Sequence, residues 1–236
     1  MTKHIGIVGC SAEGAALCYR TICAESEALM GEHMHPEVSM HTFPLGDYTP
    51  HFPAGDWDSV GDLMARSATK LAAIGADFAI SPDNTIHQAY DRALQGSPIP
   101  WLHIADEVAR TAQQQGYSKL GITGTNFLMT GPVYSDALDR FGIANEIPDE
   151  RDRRRINETI FGELVKGVFS VESKAYFNSV FDKLREQGCD AVIMGCTEIP
   201  LLMDGVETSA PKLDSTRILA RAAIDCALSG RTSISP

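Results

Sequence analysis

Two short stretches carry side chains that could move protons. The first is Ser81-Pro82-Asp83-Asn84-Thr85-Ile86-His87 and the second is Met194-Gly195-Cys196-Thr197-Glu198-Ile199-Pro200. In the second, a thiol, a hydroxyl and a carboxylate follow one another at the end of a buried apolar run. A thiolate at a strand-to-helix turn lies near backbone N–H groups and a positive helix end, which lowers its pKa and suits it to acid/base work. The first stretch offers the Asp83 carboxylate, the uncharged donors Asn84 and Thr85, and the His87 imidazole. Together with Thr125 and Thr197, these donors could hold a small carboxylate without a metal. Each also has an ordinary structural role, because Asx and Thr side chains cap turns and helices. His87 and Glu198 are read as supporting partners of the two loops. Cys10, Cys18, Cys23, Cys189 and Cys226 are read as inert thiols, mostly in apolar segments.

The two stretches are related by position. Gly75-Ala76-Asp77-Phe78-Ala79-Ile80 and Gly188-Cys189-Asp190-Ala191-Val192-Ile193 lie 113 residues apart, with Gly, Asp and Ile in register, and Cys196 falls on Asp83 (196 − 83). Lys70-Leu71 and Lys183-Leu184 keep the same offset. Upstream, Gly6-Ile7-Val8-Gly9 recurs as Gly121-Ile122-Thr123-Gly124, 115 residues on (121 − 6). Two segments recurring at nearly one offset mark a chain built as two related halves. Each half then presents one polar loop after one strand, and the two loops are expected to face each other across one site. The match to Cys196 lifts Asp83 above plain turn chemistry.

Elements of the right kind surround these loops. Residues 4–10 read as a buried strand ending in a Gly turn, and 12–30 as a helix. The Gly pattern there is not GxGxxG, so no dinucleotide site follows from it. Residues 37–43 alternate as a strand. Residues 44–57, rich in Pro, Gly, Asp and aromatics, read as a long loop that could overhang a site. Residues 59–74 form an amphipathic helix with Gly75 at its end. Residues 99–103 read as a short strand crossing between halves, and 107–115 as a helix. The second half repeats the scheme with a strand at 119–124, a loop at 126–131, a helix at 133–141, a strand at 143–147, and helices at 153–166 and 173–187. The last helix, 215–229, has no counterpart and is expected to pack back on the first half. Strands alternating with helices imply an α/β fold of two pseudo-symmetric parallel-sheet halves, 1–98 with 210–236 and 99–209. Ligands in such folds bind at strand C-terminal ends.

Composition excludes several classes. Twenty Lys and Arg against 31 Asp and Glu give a net charge of −11 over 236 residues, which does not suit a nucleic-acid binder. The one basic run, Arg151-Asp152-Arg153-Arg154-Arg155, reads as a solvated helix face. No apolar run approaches the ~20 residues that span a bilayer. The start, Met1-Thr2-Lys3-His4, enters a strand at once and leaves no room for a signal peptide. Six cysteines without CxxC spacing fit free thiols in a reducing cytoplasm. The histidines show no metal-ligand spacing, and His33 and His35 read as surface residues.

These residues carry a resemblance. Gly195-Cys196-Thr197-Glu198-Ile199-Pro200 resembles the second loop of the aspartate/glutamate racemase superfamily, and Asp83-Asn84-Thr85-Ile86-His87 resembles a variant of its Cys-Asn-Thr-x-His loop. Gly124-Thr125 with Met129, Gly6-Ile7-Val8-Gly9 and Asp214-Ser215-Thr216 fit as well, so the resemblance covers essentially the whole chain. It implies a cofactor-free site in a cleft between the halves, a homodimer, and proton transfer at the carbon next to a carboxylate. Cys196 and Asp83 would be the acid/base pair, and Asn84, Thr85, Thr125, Thr197 and Lys166 would contact the substrate. The departure is Asp83 where the family has its first cysteine, with Leu128 where a Thr is common. A thiol near ~8.5 and a carboxyl near ~3.9 differ greatly as bases. The reading that follows is an amino-acid racemase acting on a small acidic or related substrate. The alternatives are a single-thiol decarboxylase or cis–trans isomerase of a small diacid, and a catalytically silent small-acid binding protein. Specificity is expected in residues 44–57 and 126–131.

Overall fold

The computed structural model describes residues 2–229. The chain forms two compact units. One comprises the residues up to Glu107 together with those from Thr216 onward, and the other is Val108–Ser215.

The first unit is built on a three-stranded parallel sheet. Its central strand, β1 (Ile5–Gly9), is buried along its whole length, as a parallel strand covered on both faces must be. Helix α1 (Ala12–Met30) buries Leu17, Cys18, Thr21 and Ile22, one stripe of an amphipathic helix. Strand β2 (Val38–Thr42) pairs with β1 as a half-buried edge. Residues 44–57 are not the long loop expected from their composition. They hold two short helices, α2 (Leu45–Tyr48) and α3 (His51–Ala54), each anchored by one aromatic side chain. Tyr48 is fully buried, and Phe52 stacks on Trp57 with ring centroids 5.8 Å apart. Four-residue helices span too little chain to show a helical period in the sequence. Helix α4 (Trp57–Ala73) begins earlier than the apolar spacing suggests, because Asp56 caps it by accepting from Ser59 N. Strand β3 (Phe78–Ile80) completes the order β2-β1-β3. A 3-10 turn (Thr85–Ala89) and α5 (Tyr90–Gly96) follow. The strand expected at 99–103 reduces to one bridge, Trp101 beside Ala79. Pro98 and Pro100 have no N–H to extend a ladder. Helix α6 (Ile104–Gln114) then carries the chain into the second unit.

The second unit has a four-stranded parallel sheet, ordered β5-β4-β6-β7. After β4 (Lys119–Thr123), the loop expected at 126–131 is mostly helix α7 (Asn126–Thr130), capped by Thr125, whose side chain accepts from Leu128 N. Helix α8 (Pro132–Arg140), strand β5 (Ala144–Glu146) and helix α9 (Glu150–Gly162) follow. The helix expected to run to 166 stops at Gly162 and gives way to a 3-10 turn, Leu164–Lys166, closed by Gly167 at φ +73°. Helix α10 (Val171–Glu186) leads to β6 (Ala191–Met194), a short helix α11 (Ile199–Leu202) and a further strand, β7 (Lys212–Asp214). Helix α12 (Ser215–Ser229) returns the chain to the first unit. There Leu219, Ala220, Ala223 and Ile224 join one apolar cluster with Ile5, Ile7, Phe78 and Ile80. Among the described residues, no helix is long and apolar enough to cross a membrane.

The repeat read in the sequence appears as equal strand register. Ile5 pairs with Phe78, and Leu120 pairs with Ala191, the same positions after the two sequence offsets. The aspartates that open β3 and β6 also act alike. Asp77 accepts from His4 N at 2.6 Å, and Asp190 accepts from Ser118 N and Lys119 N at 2.7 and 3.0 Å. Each thereby satisfies N–H groups at the start of the neighbouring strand.

Candidate active site

In the second unit, the ends of β4 and β6 touch. Gly195 N donates to Thr123 O at 2.8 Å. A Cβ at position 195 would stand 2.5 Å from Leu128 Cδ2 and 2.8 Å from Thr123 O, so only glycine fits there. This contact fixes where the next three side chains begin. Cys196, Thr197 and Glu198 are 9%, 3% and 2% exposed. Cys196 Sγ donates to Glu198 Oε2 at 3.0 Å, and Thr197 Oγ1 donates to the same oxygen at 2.8 Å. The thiol is therefore poised by a carboxylate. The helix that follows the turn is α11, whose four residues align too few peptides for a strong dipole. A buried carboxylate that accepts the S–H bond fixes the direction in which the thiol presents its proton and can receive it.

Thr125, buried, serves as the α7 cap in the same unit. Lys166 is exposed on the 3-10 turn, and among the described residues its ammonium has no hydrogen-bond or ion-pair partner. Ser215 Oγ donates to Met194 O at 2.8 Å and so braces the end of β6 from the first residue of α12.

In the first unit, Asp83 follows β3 and its carboxylate reaches the turn after β1. Oδ2 accepts from Cys10 N at 2.8 Å and Oδ1 from Ser11 N at 3.1 Å. Both oxygens thus join the loop after β3 to the N-terminal end of α1. Asn84, 2% exposed, donates to Pro82 O in its own turn at 3.4 Å, and Thr85 begins the 3-10 turn. His87 is buried beneath the loop. Its Nε2 lies 3.1 Å from Ser81 O, which can only accept, so Nε2 carries the proton. The ring stacks on Tyr90 and meets His103 edge-on. Tyr48 of α2 completes the surroundings of this loop. Burial raises its phenol pKa, and the Cys10 thiol and the Asp83 carboxylate raise it further, against a smaller opposing effect from Ser67.

Burial, helped by nearby His103, pulls the His87 pKa down to about 3. The imidazole is neutral in the folded chain and cannot serve as a charged acid at neutral pH. Because its usual value is 6.5, the unfolded chain binds an extra proton between about pH 6.5 and pH 3. The stabilisation is present above pH 6.5 and is lost as pH falls, by several kcal/mol, on the order of 4, at the acid end. His87→Gln keeps an N–H for Ser81 O but does not titrate. Its melting temperature should therefore fall less steeply than that of the wild type between pH 6.5 and 4.5. Parallel melting curves would discount His87 as the acid-sensitive group.

The sequence reading did not single out Cys10, Ser11 or Tyr48. One signal for Cys10 was available, since the upstream offset of 115 residues places it on Thr125. Among the described residues, no group of three or more His, Cys, Asp and Glu side chains is arranged to hold a metal ion.

A profile of the Asp/Glu/Hydantoin racemase family matches residues 5–223. The chain belongs to this family. Racemases are isomerases, and the thiol at the end of β6 sits in a chain of that class. A candidate Asp/Glu racemase from Yersinia pestis is 33% identical, with a TM-score of 0.86 over 96% of this chain and 99% of its own. An aspartate racemase homologue from Pyrococcus horikoshii OT3 is 26% identical, with a TM-score of 0.81 over 96% of this chain and 99% of its own. The broad specificity amino-acid racemase RacX of Bacillus subtilis is 24% identical over 80% of this chain and 81% of its own length. The two-sheet α/β architecture is thus that of the Asp/Glu/Hydantoin racemase family.

Proposed function

We propose that this chain is a cofactor-independent amino-acid racemase whose substrate is a small acidic or related amino acid. The observation that carries the reading is the Cys196–Glu198 hydrogen bond of 3.0 Å, a thiol paired with a buried carboxylate in a chain of the racemase family. In the proposed reaction, one base takes the proton from the carbon next to the carboxylate. The C–H electron pair spreads into that carboxylate, and an acid on the opposite face returns a proton. Cys196 acts on one face, with Glu198 orienting its S–H. Asp83 belongs to the opposite face, as the second base or as the group that orients the substrate. Asn84, Thr85, Thr125, Thr197 and Lys166 are proposed to contact the substrate, and the functional unit is proposed to be a cytoplasmic homodimer.

The two N–H bonds to Asp83 favour keeping a second reading. If that carboxylate only anchors and no other base serves its face, Cys196 alone moves protons. The chemistry would then be decarboxylation or cis–trans isomerisation of a small diacid.

The test is incubation in D₂O with L- and D-amino acids and with malonate- and maleate-type diacids, followed by NMR and chiral chromatography. The racemase reading expects deuterium at Cα together with loss of enantiomeric purity. Isomerisation or CO₂ loss without racemisation supports the second reading. No reaction of any panel member, under conditions where binding is detected, would leave a small-acid binding protein.

A further inference from the structure

We propose that Cys10 is the acid/base of the first half and that Asp83 is its positioning residue. The inference rests on the racemase reading, in which one substrate is served on two faces, and it changes which residue serves the second face.

Three observations lead to it. First, Asp83 commits both carboxylate oxygens to backbone N–H groups, one of them the N–H of Cys10 itself. Charge-assisted bonds of this kind hold a turn firmly and fix the carboxylate against the backbone of Cys10 and Ser11, which suits a positioning role. Second, Cys10 lies where the fold places functional groups. It directly follows β1, at the C-terminal end of the central strand, next to the loop after β3. The 115-residue offset puts it on Thr125, which the second unit keeps beside the same strand end. Its exposure, 5%, lies between 9% for Cys196 and 4% for Cys226, so its place in the fold and not its exposure sets it apart. Third, a polar group is held there with no local role. Tyr48 is 0% exposed, and its hydroxyl has no hydrogen-bond partner among the described residues. Ser67, whose hydroxyl meets His41 Nδ1 at 2.9 Å, lies near it and opposes part of the rise in its pKa. The groups that act on the phenol most strongly after burial are the Cys10 thiol and then the Asp83 carboxylate. An unmade hydrogen bond at a buried hydroxyl is costly, and the cost is relieved where a thiolate or a substrate oxygen supplies the missing acceptor.

Each half then sets one cysteine against one carboxylate, Cys10 against Asp83 through its backbone N–H and Cys196 against Glu198 through its thiol. In the exchange step, the Cys10 thiolate takes the Cα proton, so an S–H bond forms as the C–H bond breaks. The electron pair moves into the substrate carboxylate. The Cys196 S–H bond breaks as its proton goes to the other face, leaving a thiolate there. The reverse direction exchanges the two roles.

Two measurements decide it. The first follows Cys10→Ala, Cys10→Ser and Asp83→Asn in D₂O with separate enantiomers. Both Cys10 variants should lose interconversion by at least ~100-fold while Cys196-dependent exchange into one enantiomer persists. Asp83→Asn should keep the wild-type shape of the pH–rate profile. A Cys10→Ala enzyme that racemises at the wild-type rate, or an Asp83→Asn enzyme that loses an acidic limb, would overturn the assignment. The second needs neither turnover nor a folded variant. Wild-type protein is alkylated with iodoacetamide and the cysteines are read by peptide mass spectrometry. Cys10 and Cys196 should both react, faster at higher pH, and be protected by aspartate, glutamate or malonate, while Cys18 and Cys189 stay inert. Cys10 reacting as slowly as Cys18 refutes the proposal even if the wild type turns over nothing. A wild type that turns over nothing refutes the racemase reading and the acid/base role with it, whereas an inert Cys10 in an active enzyme refutes only the role of Cys10.

Discussion

Cys196→Ala should abolish interconversion of the enantiomers, and incorporation of deuterium from D₂O at Cα of the enantiomer whose C–H bond faces Cys196, with a fall of at least roughly 10³-fold for any substrate the wild type turns over. The side chain is small and 9% exposed, so losing one sulfur leaves little cavity and the fold should survive. What disappears is the only S–H group bonded to Glu198 among the described residues. Thr197 keeps its own bond to that carboxylate, so Glu198 is not left without a donor. Cys196→Ser retains a donor of similar size without the acidity of a thiol, and its rate should lie close to that of the alanine variant. Interconversion at the wild-type rate in either variant, with melting temperatures unchanged, would remove Cys196 from the mechanism.

Gly195→Ala should damage the protein in a different way. The added methyl would meet Thr123 O, a backbone atom, at 2.8 Å and Leu128 Cδ2 at 2.5 Å. Leu128 is buried, as is Tyr134 beyond it, so the side chain has little room to yield. Thr123 O also accepts the Gly195 N–H, so retreat would break a hydrogen bond where the two strands meet. Overpacking against backbone costs about 3 kcal/mol here, which for a chain of this size lowers the melting temperature by roughly 6–12 °C. The same shift carries Cys196 with it, and a displacement of ~1 Å can cost ~10² in rate. Gly205→Ala is a useful contrast. Gly205 has φ +66° and open space around its Cβ position, so that variant should lose a modest amount of stability and keep its activity. Equal melting temperatures for Gly195→Ala and wild type would mean that the strand ends separate more easily than the packing suggests.

The sequence revealed most where a signal was periodic or repeated. The apolar stripe of α1 and the fully buried β1 follow from local pattern, and the last helix, 215–229, coincides with α12. The duplication places Asp83 and Cys196 in equivalent loops. What stayed hidden was short or depended on neighbours distant in the chain. Helices α2, α3 and α7 have four or five residues, too few to show a period. The bonds from Cys10 N and Ser11 N to Asp83 join residues about seventy positions apart, and only the pairing of β1 with β3 makes them adjacent. Cys10 looked inert because an apolar strand precedes it, and buried cysteines are usually inert. The offset of 115 residues extends past the glycines of the turn after β1 and sets Cys10 against Thr125.

Helix α12 has a consequence for the order in which the polypeptide matures. The first unit is discontinuous, since Ile5, Ile7 and Phe78 are covered by Leu219, Ala223 and Ile224, side chains translated more than a hundred residues later. A nascent chain emerging at about 5–20 residues per second holds that sheet without its cover for at least several seconds. The second unit is continuous from Val108 to Ser215 and has all of its strands in hand first. Ribosome-bound intermediates stalled near Ser215 should therefore protect β4 and β6 from proteolysis before they protect β1. Chaperone demand should concentrate on the earliest-made residues of the protein.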